Sequence, residues 1–161
     1  MNLYSKFLIQ FLYAFQNAYR RIETFVFSTS LYRISTQLKE QDFHLALSRV
    51  AEEVPGWSGG TNIGKAFDQF CIQYSTKFLN NKTIIIILSD GWDTGETSLL
   101  EQSMKHIHSR ARKVIWLNPL AGNPGFQPSV RGMQAALPYI DVFASAHNVE
   151  SLRAIARRLS S

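Results

Sequence analysis

Two oxygen-bearing side chains are placed where chemistry or ion binding could occur: Thr61, just behind the pair Gly59-Gly60, and Asp90, in the turn Ser89-Asp90-Gly91. Asp90 follows the apolar run Ile84 to Leu88 by two residues. In open α/β sheets, ligands bind beyond the carboxyl ends of the strands, so a carboxylate at that point can serve a reaction or hold an ion. The same residue can equally serve only to start a turn before Gly91, a common role for Asp. Thr61 would project its hydroxyl from a glycine-freed loop at a helix N-terminus. A site made only of oxygen donors suits Mg2+, Mn2+ or Ca2+ better than zinc.

Other patterns carry less chemistry. Residues Gly59 to Lys65 fit the spacing G-x-x-x-x-G-K of a phosphate-binding loop, but Ala66 stands where a magnesium-binding hydroxyl belongs. That motif also needs a strand directly before it, and AEEVPGWSG reads as a helix end and a loop. His106 and His108 are two apart on an expected helix and so point in different directions, one to the surface and one to the core edge. His44 and His147 lack Cys or His at ligand spacing. No G-x-S-x-G elbow occurs, and Ser89 has no evident base. The lone Cys71 shares an apolar helix face with Phe67, Tyr74 and Phe78 and reads as a buried structural thiol.

The elements that position Thr61 and Asp90 follow from periodicity. Ile84 to Leu88 are apolar without alternation and mostly β-branched, as in a central parallel strand covered on both faces. ETFVFSTS reads as a strand, and LYRIS as its hairpin partner across Ser28 to Ser30. A helix in QDFHLALSRVAEEV ends before Pro55. A second helix is expected from Asn62 to Phe78, a third from Leu99 to Ser109, then the strand KVIWL. After a Pro/Gly loop come a short helix near Met133, the strand IDVFA, and a last amphipathic helix with Leu152, Ile155, Ala156 and Leu159. Strands separated by helices imply crossovers and a mainly parallel sheet.

At 161 residues and 45% hydrophobic composition, the chain suits one domain over 1–161 and is not disordered. The formal charge of +5 raises the question of an acidic partner. The arginines fall mainly at helix ends, where they complement the dipole, and no basic tract or zinc-finger pattern exists, so no nucleic-acid partner is expected. The Phe- and Leu-rich N-terminus is interrupted by Lys6, Gln10 and Gln16 and followed by Arg21, which opposes a membrane span or a signal peptide. A cytoplasmic location is expected.

The stretches FVFSTSLYRI, WSGGTNIGKAF, IIIILSDGWDTGE, VIWLNPLAGNPGFQP and GMQAALPYIDVFASAHNVESL together resemble the CoxE-like von Willebrand factor A (VWA) domains, in order over nearly the whole chain. The resemblance implies a doubly wound, Rossmann-like α/β fold with a mainly parallel sheet flanked by helices. It also implies a metal-ion-dependent adhesion site built from an Asp-x-Ser-x-Ser loop, a Thr and an Asp. Thr61 matches the Thr and Asp90 the Asp, while Trp57, Asn62, Trp92 and Asp93 border the same loops as partner-binding residues. Both tryptophans can instead be loop packing.

The departure from the family pattern is that no Asp-x-Ser-x-Ser triplet occurs; Met1 to Ser5 look like the point just past it. The expectation is an N-terminally truncated domain without the first central strand, whose metal site is incomplete and whose Mg2+, Mn2+ or Ca2+ is weakly held or lost. Five buried apolar side chains at about 1.5–3 kcal/mol each make such a loss on the order of 10 kcal/mol. The implied function is non-enzymatic. A divalent metal would grip an acidic side chain of a protein partner, alongside a MoxR-type AAA+ ATPase in metalloenzyme maturation, with carbon monoxide dehydrogenase as the example. A metal-dependent phosphohydrolase or nucleotide-binding enzyme using Asp90, Asp93 and Lys65 is the alternative.

Overall fold

The computed structural model describes residues 3–19, 21–54, 61–92, 95–118, 130–145 and 154. The chain divides into two compact units, Met1–Gly59 and Gly60–Ser161, each taken by itself below.

In the first unit, helix α1 (Leu3–Ala18) is followed by strands β1 (Phe25–Phe27) and β2 (Leu31–Arg33) and helix α2 (Phe43–Glu53). The strands form the expected antiparallel hairpin, with Val26 opposite Tyr32, and Ser28 N donates to Ser30 O across the turn. Asp42 caps α2 by accepting from Leu45 N at 3.1 Å, satisfying one of the donors that every helix start leaves open. Ile9, Val26, Ile34, Leu38, Val50 and Val54 form the core. Of the polar residues that interrupt the apolar run of α1, Gln16 has a packing role: it is buried, donates to Ser35 O at 2.6 Å and accepts from Thr24 Oγ1 at 2.7 Å. No described helix is long and apolar enough to cross a membrane.

The second unit contains α3 (Ile63–Gln73), α4 (Ser75–Phe78), β3 (Ile84–Leu88), α5 (Thr97–Arg110), β4 (Lys113–Asn118), α6 (Arg131–Ala136) and β5 (Val142–Ser145). The strands form a parallel sheet in the order β3-β4-β5, with Ile86 opposite Ile115 and Leu117 opposite Ala144. Helices α3 and α5 pack on each other so closely that a Cβ at Gly64 would lie 2.9 Å from Leu100 N. The Gly64 of the apparent phosphate loop is therefore accounted for by helix packing.

Two expectations are corrected here. The expected helix over Asn62 to Phe78 is broken at Tyr74, where Ser75 Oγ donates to Cys71 O at 2.6 Å and takes the carbonyl that the helical N–H would have used. The strand buried on both faces is β4, whose residues Val114 to Asn118 are all buried, rather than β3. Strand β3 is an edge among the described residues: Ile84 is 38% exposed and only Ile87 is buried. An unbroken apolar run marks a strand that has apolar surroundings available, but its place in the sheet depends on its neighbours. The last amphipathic helix, with Leu152, Ile155, Ala156 and Leu159, lies outside the described residues.

Candidate functional site at the carboxyl end of the parallel sheet

The turn after β3 is built by a few specific contacts. Ser89 N continues the ladder by donating to Leu117 O at 3.1 Å. Ser89 O accepts from the indole Nε1 of fully buried Trp116 at 2.8 Å, so the next strand holds the point where β3 stops. Ser89 Oγ accepts from Gly91 N at 3.1 Å, and Asp90 Oδ1 from Trp92 N at 2.9 Å. These are the side-chain-to-backbone turns that Ser and Asp favour. Gly91 has φ +76°, a left-handed conformation that glycine adopts without strain. A Cβ there would also lie 2.5 Å from Met133 Sδ.

Asp90 does serve the turn. One carboxylate oxygen organises the turn; Oδ2 accepts no hydrogen bond among the described residues. Asn118 Nδ2 approaches Asp90 O at 3.4 Å from the end of β4. The sequence reading missed Asn118, a fully buried amide at the strand's carboxyl end. The polar residue closing the otherwise apolar strand KVIWL was the available signal.

Thr61 is half-buried at the start of α3. Its neighbour Asn62 caps that helix, accepting from Lys65 N at 3.0 Å. Asn62 also packs on the segment after Asp90: a Cβ on Gly95 would lie 2.8 Å from Asn62 Cγ. The structure therefore brings the Thr61-Asn62 loop against the loop that leaves Asp90, although the two are 29 positions apart in sequence (90 − 61). Trp92 stands 65% exposed beside them. Trp57 and Asp93 lie outside the described residues.

An uncapped hard-oxygen donor on Asp90 and a hydroxyl on the facing loop match the donors that Mg2+ or Ca2+ accepts. Among the described residues, no group of three or more His, Cys, Asp or Glu could hold a metal ion. The described donors suit such an ion in kind.

Residues 1–152 match the family described as VWA domain containing CoxE-like protein. The chain belongs to this CoxE-like VWA family. No curated protein matches it. Among solved structures it is similar to an aerotolerance-related membrane protein from Bacteroides fragilis NCTC 9343, solved with multiple mutations to serines. The TM-score is 0.55 at 14% identity, over 97% of this chain and 87% of that one. It is similar also to the conserved hypothetical protein BatB from Bacteroides thetaiotaomicron, at TM-score 0.55 and 14% identity, over 96% of this chain and 86% of that one. At that identity the likeness shows the fold, and it agrees with the parallel α/β architecture of the second unit. As a CoxE-like VWA chain, the protein is a VWA-type interaction module.

Proposed function

We propose that this CoxE-like VWA chain is a non-enzymatic module that binds an acidic side chain of a protein partner through a divalent cation, Mg2+, Mn2+ or Ca2+. Thr61 and Asp90 would contribute oxygens to the ion. Exposed Trp92, with Asn62, would form the rim that the partner meets, since exposed aromatic residues at a binding edge often carry much of an interface's energy. The partner would be a client of metalloenzyme maturation, in the manner of carbon monoxide dehydrogenase, handled together with a MoxR-type AAA+ ATPase.

The observation that carries this reading is the position of Asp90: at the carboxyl edge of a parallel sheet, on a turn fixed by Trp116 and Gly91, with no hydrogen bond to Oδ2 among the described residues. Bound there, the cation would supply positive charge for a carboxylate to approach. The chain's own residues hold the Asp90 carboxyl group in place and keep one of its oxygens open. Water and the partner's carboxylate would add further oxygens to the ion.

Magnesium titrated into the 15N-labelled chain tests this. The expected result is saturable movement of the Gly91 and Trp92 amide signals, abolished in Asp90→Ala and weakened in Thr61→Ala. Unchanged signals at millimolar magnesium, or equal movement in Asp90→Ala, would refute the assignment. Magnesium-dependent nucleotide hydrolysis lost on Lys65→Ala would instead establish an enzyme.

A further inference from the structure

Strand β3 leaves one side of its backbone without a partner. Thr83 O accepts from Arg112 N at 2.8 Å and Ser89 N donates to Leu117 O at 3.1 Å, so the odd-numbered residues here turn their backbone groups to β4. Alternate residues of a strand bond to opposite sides, so Ile84, Ile86 and Leu88 turn their N–H and C=O groups the other way. Strand β3 pairs with β4 alone, and nothing among the described residues bonds to these outward groups. Such a row is a template for another strand, and proteins commonly blunt it with a charge, a proline or a bulge. Strand β3 has none of these: it reads IIIIL, and its register with β4 runs unbroken from Ile84 opposite Lys113 to Leu88 opposite Leu117. In the whole chain Ile84 remains 38% exposed, and Ile86 and Leu88 are partly exposed.

The edge is complementary to itself. In an antiparallel pair, alternate residues that lie directly opposite each other exchange both of their hydrogen bonds. Two copies of β3 set antiparallel with Ile86 opposite Ile86 place Ile84 opposite Leu88 at either end, so every outward N–H meets an outward C=O. A register shifted by one residue would set outward groups against residues whose own bonds already go to β4. The charges at the ends match as well. The same register carries the Lys82 turn of each copy to the Asp90 turn of the other, and no other charged residue lies between these two. Opposite charges facing each other across two strands favour the pairing.

We propose that β3 is a dimerisation edge, taking β3 of a second copy of this chain in an antiparallel, two-fold arrangement that joins the two parallel sheets into one. A two-fold contact uses the same edge of both copies and closes on itself, so association stops at the dimer. Five residues a side make a small contact, so the dimer would be weak and reversible. The pairing needs no cation at Asp90 and does not rest on that reading.

Sedimentation velocity of the full chain over a concentration series, in buffer with EDTA, tests the proposal. The expected result is a reversible equilibrium between monomer and dimer. Ile84→Lys, at a residue already part-exposed, should raise the dissociation constant about tenfold or more and leave the far-ultraviolet circular dichroism and thermal midpoint in place. Lys82→Glu, which sets like charges against each other at both ends, should raise it several-fold, with the loss relieved by salt. In a Cys71→Ser background, oxidation should cross-link Ile86→Cys in preference to Ile85→Cys, because only residue 86 lies opposite itself, at a separation a disulfide can span. A monomer at every concentration would overturn the proposal and assign the edge to another protein's strand. So would growth beyond the dimer, a dimer that neither Ile84→Lys nor Lys82→Glu weakens, or one cross-linked no better through Ile86→Cys than through Ile85→Cys.

Discussion

Replacing Gly91 by alanine is the sharpest perturbation of the turn that presents Asp90. Two separable terms oppose it. With φ at +76°, an L-residue puts its Cβ against the backbone, which costs about 1–2 kcal/mol. The new methyl would also lie 2.5 Å from Sδ and 3.2 Å from N of Met133, a residue with no exposed surface to retreat into. Forcing an extra carbon into a filled site costs about 1–3 kcal/mol. Together they come to about 2–5 kcal/mol, a large part of a typical stability of about 5–15 kcal/mol.

Urea unfolding followed by far-ultraviolet circular dichroism measures the sum, and a double-mutant cycle separates the terms. Met133→Ala alone opens a cavity at about 2–5 kcal/mol. In the double variant the clash with the Met133 side chain disappears, while the backbone strain and the 3.2 Å approach to the backbone N of residue 133 stay. The Gly91→Ala change should therefore be about 1–3 kcal/mol milder in the Met133→Ala background. A Gly91→Ala protein within about 0.5 kcal/mol of the parent would refute the left-handed turn itself. A coupling of zero would refute the contact with Met133.

Trp116→Phe should destabilise the chain by about 1–3 kcal/mol through the orphaned Ser89 carbonyl, and magnesium-free NMR should show the change spreading to Gly91; a neutral substitution would mean that the indole N–H does not hold the turn. Gln16→Leu, though it lengthens the apolar run of α1, should lower stability by about 1–3 kcal/mol for each of Ser35 O and Thr24 Oγ1 left unpaired, measured by the same unfolding. Burial raises the Asp141 pKa, but the hydrogen bonds from Val114 N at 2.7 Å and His108 and the charges of His108 and Lys113 outweigh it, leaving the carboxyl below its ordinary value. A lowered carboxyl contributes stability that is present above its unfolded value and lost as pH falls through its folded one. Asp141→Asn should accordingly flatten the acid limb of the stability profile below about pH 4, and an unchanged limb would contradict the assignment.

Much of the candidate site was legible because its parts are local. Ser89-Asp90-Gly91 after five apolar residues spells a strand end and a tight turn, and both are found with the side-chain bonds that Ser and Asp make to their own backbone. Thr61-Asn62 ahead of an amphipathic run spells a helix start, and Asn62 does cap α3. Other features were out of reach because they depend on which surfaces meet. Gly64 looked like a phosphate-loop glycine and is instead where α3 approaches Leu100. Asn118 and Trp116 sit 28 and 26 positions after Asp90 (118 − 90 and 116 − 90), and only the parallel pairing of β3 with β4 sets them around its turn.

The sequence by itself determined the identity and order of most elements and the family to which the chain belongs, because periodicity, turn chemistry and motif order are written along the backbone. The tertiary structure decided what neighbours make. Among the described residues, it assigned the fully buried centre to β4 and a half-exposed edge to β3, and it set the indole of Trp116 on the carbonyl where β3 stops. Burial and hydrogen-bond satisfaction are properties of contacts between distant segments, and no local pattern specifies them.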